Sequence, residues 1–301
     1  MYREMYVVSA VALSAVLMSG TAGASDDRTV ERRVAAAATG LVEISNVSGS
    51  VEVRGTDKAE VFVRGALGRD VERLDVLAES GRTRVLVVLP RKSNVRRGSA
   101  DLEVFVPRGS SLKIATTSAD VTSSGVNGAQ EIGTVSGEVT AEIGNTEIEV
   151  KTVSGDVDLR GNGKPADVTV STVSGSLSLD RAGGALEVVT VSGDLEVTMA
   201  DTRELRVRST SGDATVHCKL LRDARVSMET VSGDFSLRAA SQAGFSTDIE
   251  SFSGDIGGCM KSSVQRASKY GPGTRLETKV GEGSARVRMK SLSGNIDVCD
   301  R

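Results

Sequence analysis

Five times the chain places serine, glycine and a polar or acidic residue behind Thr-Val: TVSGEV from Thr134, TVSGDV from Thr152, TVSGSL from Thr172, TVSGDL from Thr190 and TVSGDF from Thr230. Hydroxyls beside carboxylates suggest two chemistries. A column of acids could hold a hard cation such as Ca²⁺, which takes carboxylate and carbonyl oxygens. Asp156, Asp194, Asp213 and Asp234 are the ligand candidates. A polysaccharide lyase or hydrolase would also need clustered acids, with aromatic platforms for the sugar rings. Three observations weigh against both. The acids recur as units of a repeat rather than as one constellation, and their spacing lacks the GGxGxD pattern of calcium-binding solenoids. Trp is absent, and Tyr270 is the only Tyr beyond Tyr2 and Tyr6. His217 is the only His, with no nucleophile–base pair to be named around it, and it reads as a surface residue of its strand. No catalytic residue, metal-ligand set or cofactor site is assigned. The plainer reading is that Ser and Asp suit a bent, solvated backbone, where their side chains bond local amides.

The elements that would carry such a column follow from the repeat. Anchored on the Gly of each Ser-Gly pair, copies fall at Gly49, Gly137, Gly155, Gly175, Gly193, Gly212, Gly233, Gly254 and Gly294, with Ala119 in the same slot of TTSADV. From Ala119 to Gly254 the anchors follow one another at a nearly constant step of about 20 residues, with no helical pattern between them, and such a period is a solenoid signature. Within a copy the apolar residues alternate, and their parity slips once. In the Gly193 copy, Leu186, Val188 and Thr190 share one phase, and Val191, Leu195 and Val197 share the other. Strand side chains have a strict period of two, so the slip marks a corner between two strands. On this reading Ile148, Val150, Val153, Val157 and Leu159 point inward in the Gly155 copy, as do Val226, Met228, Val231, Phe235 and Leu237 in the Gly233 copy. The same slip at Ser291/Leu292 turns Leu292 inward. The glycine lies in phase with the inward set, where a side chain would crowd a narrow core, so that glycine permits close backbone approach. Ser154, Asp156 and their equivalents face out.

The expected fold is all-β: a single-domain parallel β-solenoid (β-helix) with coils of about 18–21 residues. It spans 25–301, with divergent opening coils at 25–110 and regular Ser-Gly-Asp repeats at 111–301. Helix is nearly absent, apart from a turn expected near Val71–Leu77. Val7 to Met18 and the A-x-A site Ala22-Gly23-Ala24 read as a signal peptide at 1–24, cleaved near Ala24. No later apolar stretch is long enough to cross a membrane as a helix. A net charge of −3 argues against a nucleic-acid partner. RKSNVRRGS at 91–99 is a basic loop, either solvated or able to touch anionic lipid or lipopolysaccharide.

Three Cys occur in a chain expected in an oxidising compartment. Cys259 and Cys299 each lie five residues after their glycine, in the same slot, and Cys218 lies six after Gly212. Equivalent slots on adjacent coils would be about 4.8 Å apart, within reach of a disulfide. If 280–287 forms a coil between them, they are two rungs apart and cannot bond. If 257–283 loops out (KYGPGT at 269–274 has turn chemistry), they become neighbours. Both arrangements remain open on sequence.

The motifs ISNVSGSVEVRG at 44–55, LEVFVPRGSSLKIATTSADV at 102–121, the TVSGD units and VGEGSARVRMKSLSGNIDV at 280–298 together resemble a known family. It is the bacterial putative-adhesin domain of β-strand repeats, grouped with toastrack domains. The resemblance covers nearly all of 25–301. It implies a β-helix, right-handed, exposed at the cell envelope, and brings no catalytic residues. The expected function is a non-enzymatic exported protein, periplasmic or secreted, adhesin-like or stress-associated. Its polar ladder surface would meet an envelope or surface partner, a protein or an anionic polymer. The alternative is a carbohydrate-active β-helix enzyme.

Overall fold

Alternating aliphatic residues give each strand one apolar face, and the parity slip within each repeat obliges that face to turn. The chain does so by winding. The computed structural model describes residues 28–90, 98–259, 265–266 and 272–300. The expected leader at 1–24, the basic run at 91–97 and the turn residues 269–271 lie outside them. The described residues contain 24 strands in one sheet system and no helix.

Coils are named here by the residue at their corner. Each has one strand before the corner and one after it, paired in parallel with the same strands of the next coil. The Gly137 coil, for example, is Gln130–Gly133 and Val139–Glu142, and the Gly155 coil is Glu147–Lys151 and Val157–Arg160. Register is strict. Ile114, Ile132, Val150, Val170, Val188, Val207 and Met228 stack as one buried ladder before the corner. Val121, Val139, Val157, Leu177 and Leu195 stack as another after it. Each fully buried Val or Leu contributes about 1.5–3 kcal/mol, so a core one side chain deep needs few aromatics.

The order of coils in space departs from their order in the sequence at both ends. The Gly49 coil (Leu41–Ser45, Ser48–Thr56) is not outermost. It lies between the Ala119 coil and a coil built from Arg82–Val88 and Ser99–Pro107, in which Ala100 takes the corner slot. At the other end Ala285–Ser293 pairs with both Ala214–Ser232 and Gly244–Ser253, so the Gly294 coil is inserted between those of Gly233 and Gly254. The stack of parallel coils therefore runs Ala100, Gly49, Ala119, Gly137, Gly155, Gly175, Gly193, Gly212, Gly233, Gly294, Gly254. Antiparallel strands close its ends. Glu60–Leu67 and Arg73–Glu79 cover the Ala100 coil, and Thr274–Gly281 covers Gly244–Ser253. These caps place other strands over the open edges that a bare solenoid would present. The turn expected near Val71–Leu77 is largely one of these capping strands. Its partner Arg82–Val88 offers a free edge that an extended chain satisfies better than a helical turn.

A second correction concerns the corner. Parity alone places Val153, Val191, Val231 and Leu292 inside, yet they are exposed. The last inward residue before the corner is Thr (Thr152, Thr190, Thr230), and the next is five positions on, at Val157, Leu195 and Phe235. The parity slip lies within Val-Ser-Gly-Asp, not before it. The glycine permits the close backbone approach expected of it, and what it approaches is the neighbouring coil. The nearest atoms to a Cβ on Gly193 would be backbone atoms of Gly175 in the adjacent coil, with the carbonyl oxygen at 2.2 Å, and its φ of 142° already disfavours any L side chain.

Cys259 and Cys299 form a disulfide with Cα atoms 4.8 Å apart. The excursion alternative holds, because 274–281 runs on the outer edge rather than as an intervening coil. The bond ties the outermost coil to the inserted one. Cys218 is a buried free thiol whose pKa burial pushes up to about 12.

Gly193→Val is expected to lower stability by at least about 1–3 kcal/mol through overpacking, whereas Val191→Ser should stay within about 0.5 kcal/mol. Equal losses in denaturant melts of the two variants would refute this assignment of faces. In native protein, alkylation should label no cysteine. Reduction should expose Cys259 and Cys299, and Cys218 should react only on unfolding. Peptide mapping by mass spectrometry reads all three.

Candidate functional site

The repeated Thr-Val-Ser-Gly-Asp stretch forms the corner edge of the solenoid, and each position has its own task there. Thr lies inside. In the Gly137 and Gly155 coils the hydroxyls of Thr134 and Thr152 accept the amide N–H of Gly137 and Gly155, at 3.2 and 3.0 Å. From Gly175 onward the corner glycines have positive φ. In this second form the Gly233 and Gly294 amides donate to the carbonyls of Ser293 and Ser253 in the neighbouring coil. A corner amide buried against a partner coil needs an acceptor, and in these four coils it finds one locally or across the stack, while the buried hydroxyls of Thr172, Thr190 and Ser291 in the same slot have no hydrogen-bond partner.

The acidic position is also structural, in a way the sequence reading did not anticipate. Asp carboxylates accept not local amides but the equivalent amide of the next coil. Asp120 Oδ1 takes Glu138 N–H at 3.0 Å, and Asp156 Oδ1 takes Ser176 N–H at 2.8 Å. Asp194 takes Asp213, Asp213 takes Asp234, and Asp234 takes Asn295, at 3.1, 2.8 and 2.7 Å. Asn295 Oδ1 continues the series to Asp255 N–H at 3.0 Å. Neighbouring carboxylates repel by about 1 kcal/mol in water at such spacing. A hydrogen bond to a charged group contributes about 1.5–3 kcal/mol, so the column is favourable on balance. The calcium-ligand candidates Asp156, Asp194, Asp213 and Asp234 thus each already hold an amide. Among the described residues no group of three or more His, Cys, Asp or Glu is placed to hold a metal ion.

Two surfaces flank this edge. Before the corner, most carboxylates on the outer face meet cations, Glu147 excepted. Lys113 meets Glu131 at 2.7 Å, Arg206 meets Glu187 at 3.8 Å, and Lys290 meets Glu250 at 3.0 Å. Lys151 pairs with Glu149, and that hydrogen bond raises its pKa. Glu250 is held below the usual carboxylate range by its hydrogen bond to Lys290, with Arg275 and Arg288 adding to the effect. After the corner, a shallow groove of about 600 Å³ is lined by Glu138, Asp156, Asp158, Asp194, Glu196 and Asp213, with Ser176, Ser178 and Thr215 between them. No Lys or Arg lines it. Asp158 pairs with Arg160 at 3.2 Å. Among the described residues, the other five carboxylates have no ion-pair partner.

Along the corner itself runs an apolar ridge. Val135, Val153, Val173, Val191, Val231, Leu292 and Phe252 are 46–53% exposed and occupy one slot of successive coils, interrupted by Thr210. The sequence reading put the Ser and Asp columns outward correctly and missed this ridge. His217 lies on the surface of its strand, as expected. The chain presents ladders of like groups here.

Asp213→Ala should cost about 1–2 kcal/mol by stranding the Asp234 amide, and Asp213→Asn should be close to neutral, as the native Asn295 in the same slot implies. Thermal melts in which Asn is as damaging as Ala would show that charge, not the amide bond, is what the column supplies.

The chain matches the family model described as Toastrack DUF4097 over residues 12–186 and 166–299. No curated protein matches it. Among solved structures it is similar to a putative adhesin from Parabacteroides distasonis, at 9% identity and a TM-score of 0.48, covering 91% of this chain and 98% of that one. A putative adhesin from Bacteroides fragilis is 12% identical with a TM-score of 0.41, covering 90% and 97% of the two chains. A putative lipid binding protein from Parabacteroides distasonis is 10% identical with a TM-score of 0.41, covering 90% and 96%. Similarity at this level carries no argument about what the chain binds.

Proposed function

The chain belongs to the Toastrack DUF4097 family, and on that premise we propose that it is a non-enzymatic binding module of the cell envelope. It would be exported by the leader at 1–24 and act from 25–301 as one β-solenoid domain. The observation that carries this reading is the uniformity of the corner. Serine and glycine recur coil after coil with a polar or acidic residue behind them, and the carboxylates of Asp120, Asp156, Asp194, Asp213 and Asp234 are engaged in holding the stack together. Catalysis needs the opposite: unlike groups gathered once, with their protonation set apart by their surroundings. A long edge of repeated contacts suits adhesion to an extended or repetitive partner, because solenoids use such surfaces for binding.

The test is expression of the full chain with its own leader in a bacterial host, followed by fractionation and N-terminal sequencing. The expected product begins at Ser25 and is found outside the cytoplasm. Immobilised on beads, it should retain envelope components, and retention should fall with Val153→Ser/Val173→Ser/Val191→Ser while the melting temperature is unchanged. A cytoplasmic product that keeps Met1, or retention indifferent to these substitutions, would sink the proposal. So would release of reducing sugar or unsaturated uronate from a polysaccharide panel.

A further inference from the structure

The two surfaces flanking the corner differ in a way that identifies a partner. On the outer face before the corner, Glu131, Glu149, Glu187 and Glu250 each have a Lys or Arg counterpart. In the groove after the corner, Glu138, Asp156, Asp194, Glu196 and Asp213 have none among the described residues, and no cation lines the groove. Uncompensated carboxylates in a concave surface concentrate the field and draw cations. They also disfavour an anionic polymer, a nucleic acid or an anionic membrane at this face. The exposed Val135, Val153, Val173 and Val191 each stand three residues before a groove residue, Glu138, Asp156, Ser176 and Asp194 in turn. Contiguous exposed apolar surface beside such charge marks a docking site.

Periodicity narrows the occupant further. Coils repeat about every 4.8 Å. A strand laid along the ridge repeats its side chains on one face every ~6.6–6.8 Å and loses step within two rungs. An α-helix repeats about every 5.4 Å and drifts by only ~2.4 Å over the four steps from the Gly137 to the Gly212 coil, about half a rung. We propose, building on the binding-module reading, that the groove and ridge between these coils dock a cationic amphipathic helix. Its apolar stripe lies on the valines, and its Lys or Arg flank reaches the groove carboxylates. The groove spans about 19 Å at the coil spacing, or roughly 13 helical residues.

The probe is a fluorescein-labelled helical peptide of about 18 residues, with a leucine stripe and lysines on its polar face. Its control carries glutamate for each lysine. Binding is read by anisotropy at low and moderate salt. The lysine peptide should bind, weaken with salt and show no binding in its glutamate form. Glu138→Gln/Glu196→Gln changes groove carboxylates that hold no inter-coil amide, so the fold should be kept and affinity should fall about tenfold. Val153→Ser/Val173→Ser/Val191→Ser should weaken binding similarly, with thermal melts confirming that both variants fold. The proposal is overturned if both peptides bind equally, if neither binds, or if both folded variants bind as the parent does. Any of these results with envelope retention intact removes the partner chemistry and leaves the binding-module reading standing.

Discussion

The structure depends on how closely one coil can approach the next at its corner. Parallel strands are held by backbone bonds along their length, but the chain must turn between strands. At a turn the amides lose their ladder partners. The repeat solves this in a fixed geometry. Glycine lets the backbone come against the carbonyl of the neighbouring coil, where a Cβ would lie 2.0–2.4 Å away at Gly137, Gly155, Gly175, Gly193, Gly212 and Gly233. Threonine receives the glycine amide at Gly137 and Gly155, and a carbonyl of the neighbouring coil receives it at Gly233 and Gly294. Aspartate or asparagine receives the next amide along. The aliphatic ladders stack in register on corners held close by these devices, used in different combinations from coil to coil.

Much of this was legible in the sequence. A period near 20, strict alternation and one slip per copy predict a parallel solenoid, and the outward facing of Asp and Ser follows from parity alone. What parity does not determine is where between Thr and the next inward aliphatic the slip occurs. Thr190 and Leu195 are five apart, so any of the intervening residues could absorb the change. An apolar Val beside the slip invites an inward assignment, because burial is the usual fate of Val. The deciding fact, that the whole of Val-Ser-Gly-Asp goes into completing the bend, is a property of backbone geometry and not of composition. The inter-coil role of Asp was hidden for a related reason. A side chain that bonds an amide one full coil away looks, in one dimension, like one that bonds its own turn.

The same division explains the corner edge as a surface. The glycine and aspartate positions hold the stack and repeat with little variation, whereas the valine side chains, and groove side chains such as Glu138 and Glu196, make no inter-coil bond. Those are the places where a solenoid can differ between copies without losing its core. Here they carry exposed aliphatics on one side and unpaired carboxylates on the other. Paired charges before the corner are worth little to stability at such exposure. Their main effect is to leave that face electrically quiet beside a groove that is not.

The inserted Gly294 coil has a consequence for the route by which the chain reaches this structure. Through the middle of the stack each coil docks on the one made just before it, which favours rapid, sequential growth from local contacts. The Gly254 coil cannot join in that way. Its place is one rung further out, and the rung it must rest on is completed only after the 257–283 excursion, by a segment that also reaches back to Arg225. Until Ala285–Ser293 arrives, the exposed edge of Ala214–Ser232 matches Gly244–Ser253 in pattern, so premature pairing there is a natural trap. Assembly thus ends with a threading step of high contact order, and the disulfide between Cys259 and Cys299 can form only after that step has put the two coils side by side. A molecule built like a zipper along most of its length is closed at this end by a latch.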